Sequence, residues 1–124
     1  SKIHDLALLK VDLQALKEKI QPLSIDLSKD IPIASDIYAV GTPKAEDLSQ
    51  TVSKGIVSGV RETDQDTKLI QIDASINSGN SGGAIVNTDA KVVGIVSSKL
   101  FGFGVEGVAF GIPAYQLYER LKIK

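Results

Sequence analysis

Cysteine, methionine and tryptophan are absent from the 124 residues, and histidine occurs once. Without cysteine there is no disulfide framework and no thiol chemistry, and the redox compartment stays undecided. One histidine without cysteine leaves no ligand set for a structural zinc site, and no other metal or cofactor is expected. Aromatic residues make up 5% of the chain, too few for the stacking platforms that grip single-stranded nucleic acid. Lys plus Arg number 14 and Asp plus Glu 15, for a net charge of −1. That balance lacks the basic face that phosphate backbones require, so nucleic acid is not an expected partner. No apolar run approaches the ~20 residues of a membrane span. No charged leader followed by an apolar stretch opens the sequence, so no signal peptide is expected within it.

What is present reads mostly as short strands. Leu6–Val11 is an apolar run of strand length between Asp5 and Asp12. Leu13, Leu16 and Ile20 have helical spacing, but Pro22 closes that stretch, which stays an ambiguous connection. Asp36–Val40 ends at Gly41 and Pro43, a strand followed by a turn. The segment 50–60 carries Val52, Ile56, Val57 and Val60 with Gly55 and Gly59 inside it, and glycines within a strand signal bulges or close backbone approach. Leu69–Ile72 follows a charged loop that runs from Arg61 to Lys68. Ala84–Val86 and Val92–Ser97 flank Asn87–Lys91, a hairpin signal, and Gly107–Ile112 is a further strand. From Pro113 a helix is expected, with Ala114, Leu117, Tyr118 and Leu121 on one apolar stripe and Arg120, Lys122 and Lys124 at its cationic end. The strands with Gly-rich turns predict an all-β antiparallel barrel or sandwich, closed by a C-terminal helix.

Glycine motifs compete for a chemical reading. Gly102–Gly107 satisfies G-x-G-x-x-G, but a strand-like Val108-Ala109-Phe110 follows where a dinucleotide site needs a helix. Gly79-Asn80-Ser81-Gly82-Gly83 satisfies G-x-S-x-G. The hydrolase elbow of that pattern requires a histidine after the serine, and none follows Ser81. The same five residues offer a different chemistry. The N–H groups of Gly79 and Ser81 can face one oxyanion beside the Ser81 hydroxyl, with Gly82 and Gly83 allowing a tight backbone.

The surroundings of that motif carry a resemblance. Ile70–Ser78 leads into Gly79–Gly83, then come Val92–Ser98 and Val108–Pro113, with His4–Val11 and Gly55–Gly59 upstream. In this order the set resembles the trypsin-like serine peptidases, most closely their bacterial HtrA/Deg-type branch. The resemblance implies a six-stranded antiparallel Greek-key barrel followed by the helix. By it, Ser81 matches the nucleophile, Asp5 the acid of the triad, and the N–H groups of Gly79 and Ser81 the oxyanion hole. The family order is His, Asp, Ser, which places the histidine upstream of Asp5. His4 does not fill that role, because neighbouring strand residues point to opposite faces. The chain is therefore expected to be the C-terminal part of a peptidase domain. Residues 1–22 would be the last strand of a first barrel and a linker, and residues 23–124 the second barrel with the helix. Asn80 stands where digestive relatives carry an aspartate that pairs with a freed N-terminus, which implies no such zymogen switch.

Several functional expectations follow. The first is a serine endopeptidase acting on polypeptides through an acyl-enzyme on Ser81, inert in this segment without the upstream half that carries the histidine. The alternatives are an inactive peptidase-like module that holds peptides, and a purely structural barrel. By the resemblance, Ser75 is the floor of the primary pocket, and Val96, Ser97, Ser98 and Val108 are its walls. An uncharged floor and Val108 predict small or medium apolar side chains before the cut bond. Asp73 is expected to lie at a strand end outside that pocket. Loss of a first barrel is expected to expose apolar surface and favour self-association, unless residues 1–22 repack over the gap. Relatives of this branch often lie outside the cytoplasm.

Overall fold

The computed structural model describes residues 6–15, 20–41, 51–62, 68–76, 78–97 and 108–122. The expected turn at Gly41-Thr42-Pro43 beyond Gly41, the glycine motif Gly102–Gly107, and the charged loop between Glu62 and Lys68 lie outside the described residues.

Six strands form, β1 (Asp36–Gly41), β2 (Thr51–Glu62), β3 (Lys68–Ile72), β4 (Ala84–Val86), β5 (Val92–Val96) and β6 (Ala109–Pro113), with helix α1 (Tyr115–Leu121) after them. They close into a barrel in the order β1-β2-β3-β6-β5-β4. Every pairing is antiparallel. The all-β barrel and the terminal helix thus match the sequence expectation. Pro113 closes β6 instead of opening the helix, and Ala114 takes the position before Tyr115.

Alternation decides which side chains fill the barrel, since successive strand residues face opposite sides. Ile37 and Ala39 of β1, Val57 of β2, Ile70 and Ile72 of β3, Ile85 of β4 and Val96 of β5 turn inward and form one core. Removing each such aliphatic side chain from water contributes about 1.5–3 kcal/mol. A second core lies outside the barrel under α1. There Ala114 and Leu117 pack with Leu69, Val92, Ile112 and Leu6, and Leu121 sits at the margin. Gln116, a polar residue on the same short helix, is also buried, and its Nε2 donates to the Lys68 carbonyl at 3.2 Å.

The β2 glycines act as the sequence predicts. The β2–β3 register shifts between Val57 and Gly59, a bulge. A Cβ on Gly55 would come within 2.7 Å of the Ala74 nitrogen, so the backbones approach there too closely for any other residue. In the β4–β5 hairpin the Asn87 Oδ1 accepts from the N–H groups of Asp89 (2.9 Å) and Lys91 (3.1 Å).

The segment before the barrel departs from expectation. Leu6–Val11 forms no strand, and among the described residues the barrel ladders do not include it. A strand needs a neighbour to take its N–H and C=O groups. Leu6 is buried under α1, but Leu8, Leu9, Val11, Leu13, Ile20, Leu23 and Leu27 are exposed. The ambiguous stretch contains a 3-10 turn at Leu13–Ala15. Residues 24–26 then clip onto β5. Val92 donates to the Ser24 carbonyl at 2.8 Å, and Asp26 N–H to the Val92 carbonyl at 2.9 Å, around a single parallel bridge of Ile25 with Val92. Among the described residues no helix is long and apolar enough to cross a membrane.

Candidate active site

The topology places the site. In the closed order β3 and β4 are not neighbours, so the chain between them has to cross the barrel end. Antiparallel pairing puts at that same end the last residues of β1, β3 and β5 and the first of β2, β4 and β6. Ser75, Gly79 and Ser81 on one connection, and Ser97 and Val108 on another, all lie at this one end. The Asn87–Lys91 hairpin turn lies at the other end.

The crossing begins at Asp73, whose N–H approaches the Ile56 carbonyl at 3.4 Å while its Oδ1 accepts the Ile56 N–H at 2.7 Å. Asp73 thus ties the strand end to β2. Ala74 is buried and Ser75 exposed. The 3-10 turn Ser78–Asn80 follows, and Ser81 stands exposed in the turn after it. Gly82 has φ of +83°, the left-handed region where any other side chain would be strained. Its N–H donates to the Val96 carbonyl at 2.8 Å, and Val96 N–H returns to the Gly83 carbonyl at 2.9 Å. Gly83 N–H donates to the Asn80 carbonyl at 2.9 Å, which closes the turn around Ser81.

Ser81 is therefore carried on a short turn bonded to the end of β5. This brings two of the expected wall residues to it. Val96, buried at 2% exposure, holds the turn directly. Ser97, also buried, donates its N–H to the Phe110 carbonyl at 3.1 Å, which links β5 to β6 just after Val108. Val108 is half-buried at the head of β6. Asp5, His4 and Ser98 lie outside the described residues. Asn80 has a feature that sequence reasoning missed: it is buried, and its Oδ1 has no hydrogen-bond partner among the described residues. Among the described residues no group of His, Cys, Asp and Glu side chains is placed to hold a metal ion.

An exposed serine on a glycine-bounded turn, at the end of a closed antiparallel barrel, is the arrangement of a trypsin-like peptidase barrel. The family model of the trypsin-like peptidase domain matches residues 1–95, and the chain belongs to that family. Within it, the relatives are HtrA-like. A "Serine protease HtrA-like" of Staphylococcus haemolyticus is 39% identical over 134 aligned positions, covering 97% of this chain and 21% of the relative. The "Serine protease Do-like HtrA" of Bacillus subtilis is 45% identical over 95 positions, covering 70% of this chain and 21% of the relative. Among solved structures, the HtrA-type protease AlgW with decapeptide superposes with a TM-score of 0.69 at 32% identity, over 81% of this chain and 32% of that one. The chain spans about a fifth of the length of the curated relatives it matches.

Proposed function

We propose that this chain is the nucleophile-bearing part of a serine endopeptidase. Ser81 attacks the peptide carbonyl, and the backbone N–H groups of Gly79 and Ser81 receive the oxyanion. Asp5 orients a histidine contributed by the protein upstream of residue 1. The observation that carries this reading is the exposed Ser81 on its bonded turn at the crossing end of the barrel. Without a histidine base Ser81 is an ordinary alcohol, and losing that base from a triad costs on the order of 10⁶ in rate, about 8–9 kcal/mol of barrier. The segment alone is therefore expected to be inert.

In the whole protein, residues 1–22 would pair as the last strand of a first barrel and continue as the linker, with residues 23–124 the second barrel and its terminal helix. The exposed leucines and valine of 8–27 support this, since they suit burial against a neighbouring barrel. Left uncovered, that surface favours association between copies. Polypeptide is the substrate class, in keeping with the decapeptide named for AlgW. Ser75 forms the uncharged pocket floor, with Val96, Ser97, Ser98 and Val108 as walls. A buried cation without a carboxylate costs several kcal/mol, so Arg and Lys are disfavoured before the cut bond. Small or medium apolar residues are preferred, with discrimination of about 1–3 kcal/mol per methylene.

The test is active-site labelling of the full-length protein with a fluorophosphonate, followed by a peptide-library digest. Labelling at Ser81 is expected, lost in Ser81→Ala with the melting temperature unchanged, and cleavage is expected after Val, Ala or Ile. Absence of labelling would favour the peptide-holding module. Dominant cleavage after Arg or Lys would remove Ser75 from the pocket floor.

A further inference from the structure

Asn80 immediately precedes Ser81, is 6% exposed, and offers a side-chain oxygen that no donor among the described residues meets. A buried amide oxygen without a donor is a net cost, so packing has to offset it at this position. The carboxamide lies over Gly41, the last residue of β1, where a Cβ would fall 2.9 Å from Asn80 Cγ and 3.1 Å from Asn80 Cα and still closer to Oδ1. Gly41 is not among the residues with positive φ, so its backbone does not demand glycine. The space taken by Asn80 does. A second glycine completes the contact, since a Cβ on Gly83 would run into the Val40 carbonyl oxygen of the same strand end. The nucleophile turn is thus seated on β1 from one side and bonded to β5 from the other through Gly82, Gly83 and Val96.

We infer that Gly41 is a positioning residue for the nucleophile turn, acting through Asn80. The absent side chain at position 41 gives the Asn80 carboxamide its seat, and that seat sets where the backbone of Gly79–Ser81 stands. The catalytic consequence rests on the peptidase reading; the packing relation does not. A displacement near 1 Å of catalytic groups lowers turnover about 10²-fold, and one lost oxyanion donor about 10²–10³-fold. The proposed pocket residues Ser97 and Val108 lie on another connection, so ground-state binding of the substrate is expected to change little.

The experiment compares Gly41→Ala, Asn80→Ala and the double variant in the full-length protein, by peptidase kinetics and by hydrogen exchange. Gly41→Ala is expected to lower kcat about 10²-fold with KM within about twofold. Its chief obstacle is a side chain, so adding Asn80→Ala is expected to restore kcat about tenfold or more relative to Gly41→Ala alone. Exchange in peptides spanning residues 78–86 is expected to quicken in Gly41→Ala and to return towards the parent in the double variant, while residues 68–72 keep their protection. Three results would overturn the inference: kcat within twofold in Gly41→Ala, a double variant no better than Gly41→Ala, or exchange that quickens equally in 68–72. If the parent protein has no peptidase activity, the peptidase reading fails and exchange alone decides. Quickening confined to 78–86 and reversed by Asn80→Ala supports the seat, and unchanged exchange refutes it.

Discussion

Replacing Gly55 by alanine tests how far backbone approach, as opposed to backbone flexibility, governs this barrel. A Cβ at position 55 would stand 2.7 Å from the Ala74 nitrogen and 2.9 Å from its Cα, and would overlap the Asp73 carboxylate. Ala74 is backbone and cannot rotate aside, so β2 and the chain leaving β3 must separate. Overpacking of this kind costs about 1–3 kcal/mol. Separation also weakens the 2.7 Å bond from the Ile56 N–H to Asp73 Oδ1. That bond is solvent-exposed, so about 0.5–1.5 kcal/mol is a fair share. Restricting the unfolded chain by replacing glycine returns about 0.4–1 kcal/mol. Taking the middle of each range, the net expectation is a loss of about 2 kcal/mol. For a domain of this size that lowers the melting temperature by about 5–12 °C. Urea unfolding followed by far-UV circular dichroism measures it, since the chain has no tryptophan. Asp73→Ala alone should cost no more than the bond, and adding it to Gly55→Ala should give no rescue, because the Ala74 backbone still obstructs. A Gly55→Ala change within 0.5 kcal/mol of the parent, or recovery in the double variant, would refute the reasoning.

Two further stability predictions come from the same structure. Ile85→Ala removes a fully buried side chain at the centre of the barrel core and is expected to cost about 2–5 kcal/mol in denaturant unfolding, with no compensation from neighbours. Ala90 holds φ of +59° in the β4–β5 turn, so Ala90→Gly should raise stability by about 0.5–1 kcal/mol by the same assay; a destabilisation would show that this turn relaxes without strain.

The strands of the barrel were legible because each alternates or runs apolar between turn residues, and because Gly55 and Gly59 announce the bulge and the close approach. The turn that carries Ser81 was legible as a turn, since Gly79, Gly82 and Gly83 permit a tight backbone, and Gly82 takes up a left-handed φ there. Tertiary partners decided the rest. Leu6–Val11 has the composition of a strand but joins none of the described ladders. Gln116 is buried because its side chain reaches the Lys68 carbonyl from another element, which no helical pattern reports. The clip of residues 24–26 onto Val92 depends on backbone atoms, to which side-chain periodicity is blind. Asn80 is polar and sits in a turn, the pattern of an exposed residue, and only the approach of Gly41 encloses it.

Closure of the barrel governs how the protein gains and loses its structure. None of the six described strands lies at an edge, so none can peel away without breaking two ladders at once. Partial opening therefore offers little relief, and loss of order in β1–β6 should be close to all-or-none. The same closure is slow to make. The seam joins Tyr38 to Val86, and the ladder between β3 and β6 joins Ile70 to Gly111, pairs that meet only after long stretches of chain have been gathered. Such distant pairings place the barrel among folds that assemble in milliseconds to seconds. During that interval the leucines of residues 8–27 and the unpaired strands are exposed together, so the crowded moment for this chain comes before the seam closes.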